Sequence, residues 1–309
     1  VGSEMCIRDR LFSYRINSLV KETIMVKKRV LVTGANGYIG RHVVKELLDN
    51  NFEVYAADFR FDGLDSRAHQ VTTEIFSGSE TIYDELGRPD ICIHLAWRNG
   101  FVHNSESHIV DLPNHYIFLK HMIEGGLPQL IVMGSMHEVG YWEGAIDENT
   151  PTKPMSLYAI AKNSLREMID IFVKQHNTIF QWTRGFYIIG DDLRSNSIFS
   201  KIVQAEKEGK DKFPFTTGKN LYDFITVDGL AKQIVAVASQ TEVDGIINCC
   251  TGNPVSLADE VESFIKQNGF KIKLEYGVYP EREYDSPGIW GDPTKINCIM
   301  KMNQKVVDC

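Results

Sequence analysis

The sequence predicts an α/β protein organised around a doubly wound parallel sheet, and two observations carry that prediction. An apolar run, Val30-Leu31-Val32, leads into glycines at 34, 37 and 40 and then into a helical pattern. Beyond it, short apolar segments alternate with helical periodicities, the pattern of strands joined by crossover helices.

The first apolar run suits a strand buried on both faces. Gly34 permits a sharp turn, Gly37 lets backbone approach a pyrophosphate, and Gly40 lets the next helix pack closely on the strand. A helix starting near Tyr38 would aim its free N–H groups at phosphates. The turn Gly34, Asn36, Gly37, Tyr38, Ile39 and Gly40 is therefore the candidate cofactor site. Ile39, Val43, Leu47 and Leu48 share one helix face, and Asn50-Asn51 suits its end. A second strand over 53–58 ends in Asp58, about twenty residues past the turn, where a carboxylate accepts ribose hydroxyls and repels a 2′-phosphate. Asp58 favours NAD over NADP, although Arg60 nearby suits a 2′-phosphate. Further strands are expected over 73–76, 91–96, 130–134 and 179–186, with helices over 111–124 and 157–175. Ligands in such a sheet sit beyond the carboxyl ends of the strands, so the ends to watch follow Gly34, Asp58, Leu95-Ala96, Ser135 and Phe186.

The chain of 309 residues accommodates a sheet domain with a smaller appendage. Hydrophobic residues at 43% and charged residues at 24% are ordinary for a globular core. A net charge of −8 without a basic stripe argues against nucleic acid as partner, and no apolar stretch approaches a membrane span. The six cysteines form no C-x-x-C pair and read as reduced thiols of a cytoplasmic protein, with no metal site at ligand spacing. Residues 1–24 read as a leader outside the native structure, with Met25 as the natural start, and the end at Asp308-Cys309 reads as a truncation.

Tyr158 and Lys162 stand four apart on one face of the helix that follows Pro154. A phenol is a poor proton shuttle near neutrality, but a nearby ammonium favours the phenolate, and the same ammonium can bond a nicotinamide ribose. The spacing alone is common on exposed helix faces; downstream of a cofactor turn it gains meaning.

Thr-Gly-Ala-Asn-Gly-Tyr-Ile-Gly over 33–40, His94-Leu95-Ala96, Tyr158-Ala-Ile-Ala-Lys162 and Asp223-Phe-Ile-Thr-Val-Asp228 occur in one order. Together they resemble the extended short-chain dehydrogenase/reductase family, in its NAD-dependent nucleotide-sugar epimerase, dehydratase and reductase branch, over about residues 27 to 300. The resemblance implies a Rossmann-type sheet binding NAD(P), mainly over 25–185. It implies a smaller C-terminal substrate-binding lobe, mainly over 186–309, that returns segments to the sheet. Tyr158 would be the acid/base and Lys162 its partner, acting on a nucleoside-diphosphate sugar by 4-keto reduction or 4-epimerisation. A homodimer is compatible with it.

Departures from the family pattern are informative. Met136 occupies the slot of a hydroxyl that usually bonds the sugar, and a thioether cannot donate. Either Ser135 takes over that catalytic role through a shifted backbone, or polarisation falls to Tyr158 alone. Met136-His137-Glu138 replaces the Thr-Asp-Glu of sugar 4,6-dehydratases, which disfavours dehydration while leaving His137 and Glu138 open to either a substrate-facing or a surface role. Tyr187 and Tyr222 stand where the family has an asparagine and an arginine near the diphosphate, whereas Arg282 restores a candidate diphosphate contact. The competing reading is a cofactor-binding regulator or scaffold that has lost catalysis, favoured by Met136, Tyr187 and Tyr222 and opposed by the intact Tyr158–Lys162 pair.

Overall fold

The computed structural model describes residues 27–190, 197–281 and 285–307. Its main sheet holds β1 (Arg29–Thr33), β2 (Glu53–Ala57), β3 (His69–Val71), β4 (Ile91–His94), β5 (Gln129–Ser135), β7 (Ile179–Gly185) and β11 (Gly245–Cys249). These seven strands are all parallel, in the order β11-β7-β5-β4-β1-β2-β3. The order runs outward in both directions from the β1–β4 pair, and a crevice opens at such a reversal.

Alternate side chains on each strand face opposite layers of helix. Val30, Val32, Ile91, Ile93, Ile131 and Met133 pack beneath α1 (Gly40–Asp49), α6 (Val227–Ala238) and α8 (Thr294–Val307). Leu31, Cys92, Leu130 and Val132 pack against α2 (Ile82–Glu85), α3 (Ser107–Glu124) and α4 (Leu157–Val173). Burial on both faces is why these strands read as continuous apolar runs.

A second sheet of β12 (Pro254–Ser256), β10 (Leu221–Thr226), β14 (Gly288–Gly291) and β6 (Gly144–Ile146), with β8 (Tyr187–Ile189) beside β10, forms the smaller layer. The β9 (Lys212–Pro214) and β13 (Lys273–Glu275) pair lies nearby, with α5 (Ile198–Lys207) and α7 (Leu257–Gln267) completing the lobe. Its core takes Met136, Val139 and Ile146 from the first half of the chain together with Phe186, Phe199, Phe224 and Phe264. Asp223 ties the layer together: its buried carboxylate accepts from Thr251 N at 2.9 Å, Gly252 N at 2.8 Å and Gly291 N at 3.2 Å. Helix starts are capped by Ser156, Ser197, Thr226 and Ser256, each accepting from the backbone N–H three residues on.

Three expected boundaries shift. No strand occupies 73–76; the sheet edge is His69–Val71, because Val71 pairs with Ala57, where β2 ends. The chain then turns, and Phe76 packs edge-on against His115 and Phe118. The helix expected over 111–124 begins at Ser107 and accommodates Pro113, which donates no backbone bond, in its second turn. The strand expected over 91–96 ends at His94, freeing Leu95 and Ala96 for the crevice.

Candidate active site

A cleft of about 1640 Å³ runs across the carboxyl ends of the main sheet and under the smaller layer. Gly34, Asp58, Ala96, Ser135 and Phe186, the strand ends singled out by sequence, all line it. At one end the wall is backbone. Gly34 has φ +66°, and a Cβ there would lie 2.7 Å from Ala96 N. A Cβ on Gly40 would collide with the Gly34 carbonyl, so neither position accepts a side chain. Gly37 N donates to Gly34 O at 3.0 Å, closing the turn. Asp58 accepts from Asn36 N at 2.9 Å and Phe59 N at 2.7 Å, which fixes its carboxylate at the cleft edge. Tyr38, Ile39 and Leu95 complete this end. The side-chain-free turn and the anchored acid fit a dinucleotide.

The strand end His94-Leu95-Ala96 is bound into the turn from below. His94 is fully buried; its Nδ1 lies 2.8 Å from Thr33 Oγ1 and its Nε2 lies 2.9 Å from His115 Nδ1. Burial, with the Lys162 charge adding to it, lowers His115 to about 3, and burial takes His94 well below the usual imidazole range. Both rings are neutral, which suits an internal hydrogen-bond chain.

Tyr158 stands mid-cleft on the first turn of α4, half-buried and hemmed in by Trp97, His103, His108 and His137. Its backbone N–H donates to His103 O at 2.8 Å. Lys162, one turn on, is buried; its ammonium donates to Met133 O at 2.8 Å and lies 3.9 Å from the Trp97 ring centroid. The expected lowering of the phenol by Lys162 is not what the structure has. Burial raises Tyr158 to about 12, opposed by the nearby Ser135, while burial lowers Lys162 to about 7. Desolvation outweighs the charges because both groups sit among rings that supply few polar partners. The phenol is thus held protonated, ready to donate.

Ser135 lines the same cleft as Tyr158, ends β5 and caps the short turn Met136–Glu138. That turn splits the three neighbouring expectations. His137 lines the cleft, its ring 4.6 Å from that of His103 and 6.4 Å from those of Tyr158 and Tyr187. Met136 and Glu138 are buried away from the cleft lining, Met136 in the apolar core of the smaller layer. Glu138 accepts from Trp182 Nε1 at 3.0 Å and Ser135 N at 2.6 Å, and pairs with the buried Arg184 at 3.6 Å. Burial raises its pKa, with Arg184 the main opposing influence. Arg184 donates to Asp147 O at 3.0 Å and is likewise structural.

The far end of the cleft is aromatic. Tyr187 and Tyr222 stack at 4.1 Å, with Phe224 5.7 Å from Tyr187, and Phe213, Phe215 and Tyr279 extend the wall. Arg282 lies outside the described residues. Trp97 lines the cleft and also faces Lys162, a contact that no local motif announces.

A glycine turn at a sheet reversal, opposite Tyr158, Ser135 and Lys162, defines a dinucleotide-binding class of site. The chain belongs to the NAD dependent epimerase/dehydratase family, whose model matches residues 30–250. It is similar to a dTDP-6-deoxy-L-talose 4-dehydrogenase (NAD(+)) of Aggregatibacter actinomycetemcomitans, 44% identical over 269 residues that cover 85% of this chain and 98% of the relative. A probable UDP-arabinose 4-epimerase 3 of Oryza sativa subsp. japonica is 27% identical, covering 90% of this chain and 79% of the relative. Among solved structures, a UDP-N-acetylglucosamine 4-epimerase from Methanobrevibacter ruminantium superimposes with a TM-score of 0.78 at 21% identity, covering 89% of this chain and 92% of that one. It shares the fold.

Proposed function

We propose that the protein is an NAD-dependent oxidoreductase that interconverts a hydroxyl and a ketone at C4 of a nucleoside-diphosphate 6-deoxyhexose. The observation that carries the reading is Tyr158, one turn from Lys162, set in the same cleft as Ser135, the glycine turn and Asp58. The 44% identity with a dTDP-6-deoxy-L-talose 4-dehydrogenase supports the 4-position and the deoxysugar.

Gly34, Gly37, Asp58, Leu95, Ala96 and Lys162 hold the dinucleotide in this reading. When bound, its nicotinamide accepts hydride from C4 in one direction and donates it in the other. Tyr158 protonates the nascent O4 during reduction and takes that proton back during oxidation. Its raised pKa keeps the phenol protonated at neutral pH, the form from which a proton is given. Ser135 orients the phenol and shares the developing charge on O4. Dehydration has no support at Met136 or Glu138, because neither reaches the cleft.

Arg282 is the reading's diphosphate contact, and Arg282→Ala should raise KM more than it lowers kcat, since it touches a part of the substrate that does not react. Exposed Ile109 and Val110 on α3, with Ile160 and Ile171 on the neighbouring α4, support a homodimer, which light scattering tests. No helix among the described residues is long and apolar enough to cross a membrane, and the buried free thiols of Cys92 and Cys249 support a cytoplasmic location.

Mixing purified protein with NAD and dTDP-6-deoxy-L-talose should produce NADH absorbance, and NADH with the 4-keto sugar should consume it. Epimerisation would instead give product without net absorbance change. Firm NAD binding with no turnover of any dTDP- or UDP-sugar would sink the reading and favour the regulator.

A further inference from the structure

We propose that Trp97 is a positioning residue for Lys162: its indole face holds the lysine ammonium against the Met133 carbonyl, and two histidines hold the indole in place. The inference deepens the oxidoreductase reading and rests on it for its catalytic consequence. An aromatic face attracts a cation through the ring quadrupole, more strongly where water is excluded. Lys162 is buried, with its nitrogen 3.9 Å from the Trp97 centroid and 2.8 Å from Met133 O.

The other groups facing this ammonium leave the indole a large share of the work. Glu138, from the turn after β5, favours the charge but is itself paired with Arg184. His94 from β4 and His115 from α3 sense the lysine but are held neutral by burial. Tyr158 on α4 and Ser135 on β5 are uncharged at neutral pH. What remains beside Lys162 is one carbonyl and one ring.

The ring is fixed on two sides. It lies nearly parallel to His115, 4.5 Å away at 17°, and its Nε1 donates to His108 Nδ1 at 3.1 Å. His108 Nδ1 therefore accepts, so its Nε2 carries the proton and donates to Val102 O at 3.0 Å. His115 continues through His94 to Thr33, whose hydroxyl accepts from Ala96 N at 3.3 Å in the cofactor turn. Three buried histidines with no place in the proton transfer thereby acquire a role: they lock the platform on which Lys162 stands.

Burial lowers Lys162 to about 7, so a modest change in its surroundings moves its charge state near neutrality. The decisive measurement is the Lys162 titration in cofactor-free and substrate-free protein, by NMR of 13C-labelled lysine, with the signal assigned by its loss in Lys162→Met. Trp97→Leu should lower the midpoint by about one pH unit or more, and Trp97→Phe by less than half as much, because phenylalanine keeps a weaker face. A ring-fluorinated tryptophan placed at 97 keeps the shape while draining the face, and should shift the midpoint the same way even where Trp97→Leu fails to fold. In loaded protein the pH dependence of NAD affinity should move with the midpoint. Unchanged midpoints across the set, or equal shifts for Phe and Leu, overturn the proposal. Because the titration needs neither NAD nor sugar, its failure is distinguishable from a failure of the oxidoreductase reading, which shows as absent turnover.

Discussion

Beside β1 the cleft wall is backbone and small residues, Gly34, Gly37 and Ala96, contributed by two neighbouring strand ends; beside β8 and β10 it is Tyr187, Tyr222 and Phe224, large rings from separate segments. At Gly34 and Gly40 the first wall has no room for a side chain, so it presents backbone there, with the Asp58 carboxylate beside it. The second is all side chain, so its ligand is selected by what the rings leave open. Between them stand Tyr158 and Lys162, whose ionisation burial shifts in opposite directions.

The largest effect expected separates chemistry from both walls. Tyr158→Phe removes the proposed proton donor and should lower turnover by about two to four powers of ten, with calorimetric NAD affinity nearly unchanged. A parallel loss of affinity would make Tyr158 part of the cofactor wall instead.

Glu138→Ala probes the scaffold beneath the substrate wall. It leaves Arg184 buried without its partner and should cost about 3–5 kcal/mol, read from the denaturant midpoint. A cost below about 1 kcal/mol, of the size found for exposed pairs, together with a raised KM, would return Glu138 to the substrate.

Lys162→Met tests the middle of the cleft through pH. The folded lysine titrates at about 7 against an ordinary value of 10.5, so between these values the unfolded chain binds the extra proton. The penalty of burying the ammonium is complete below about 7 and is relieved as pH rises toward 10.5. The variant should therefore gain thermal stability at and below neutrality, with the gain fading in alkali. A gain that grew with pH would contradict the buried-cation account.

The smallest effect concerns the cofactor wall. Asp58→Ala removes a charged acceptor and a repulsion, and should narrow the preference for NAD over NADP by about tenfold, the worth of a charge-assisted hydrogen bond. Tighter NADP binding by the unaltered protein would overturn the assignment of Asp58.

Much of the cofactor wall was legible in the sequence because each of its requirements falls on a single position. Gly34 must take a positive φ, Gly40 must carry no Cβ, and both lie in one uninterrupted segment. The Tyr158–Lys162 pair was legible because a helix turns local spacing into a shared face. The protonation of that pair was not, since desolvation depends on Trp97 and on histidines from other elements. Met136, His137 and Glu138 show the same limit within three residues: a short helical turn sends the middle side chain into the cleft and its neighbours into the interior, where Trp182 and Arg184 wait on β7.

By itself the sequence determined the strand–helix alternation of the main sheet from β1 to β7 apart from its edge strand, the glycine turn after β1, and the helix that carries Tyr158 and Lys162, because hydrophobic periodicity, glycine stereochemistry and helical spacing all act over a few residues. Only the tertiary structure decided that Trp97 faces Lys162, that Glu138 serves Arg184, and that Tyr187 and Tyr222 form one wall. Those outcomes depend on which segments the sheet reversal and the second layer bring together, and burial and contact across such distances leave no periodic trace along the chain.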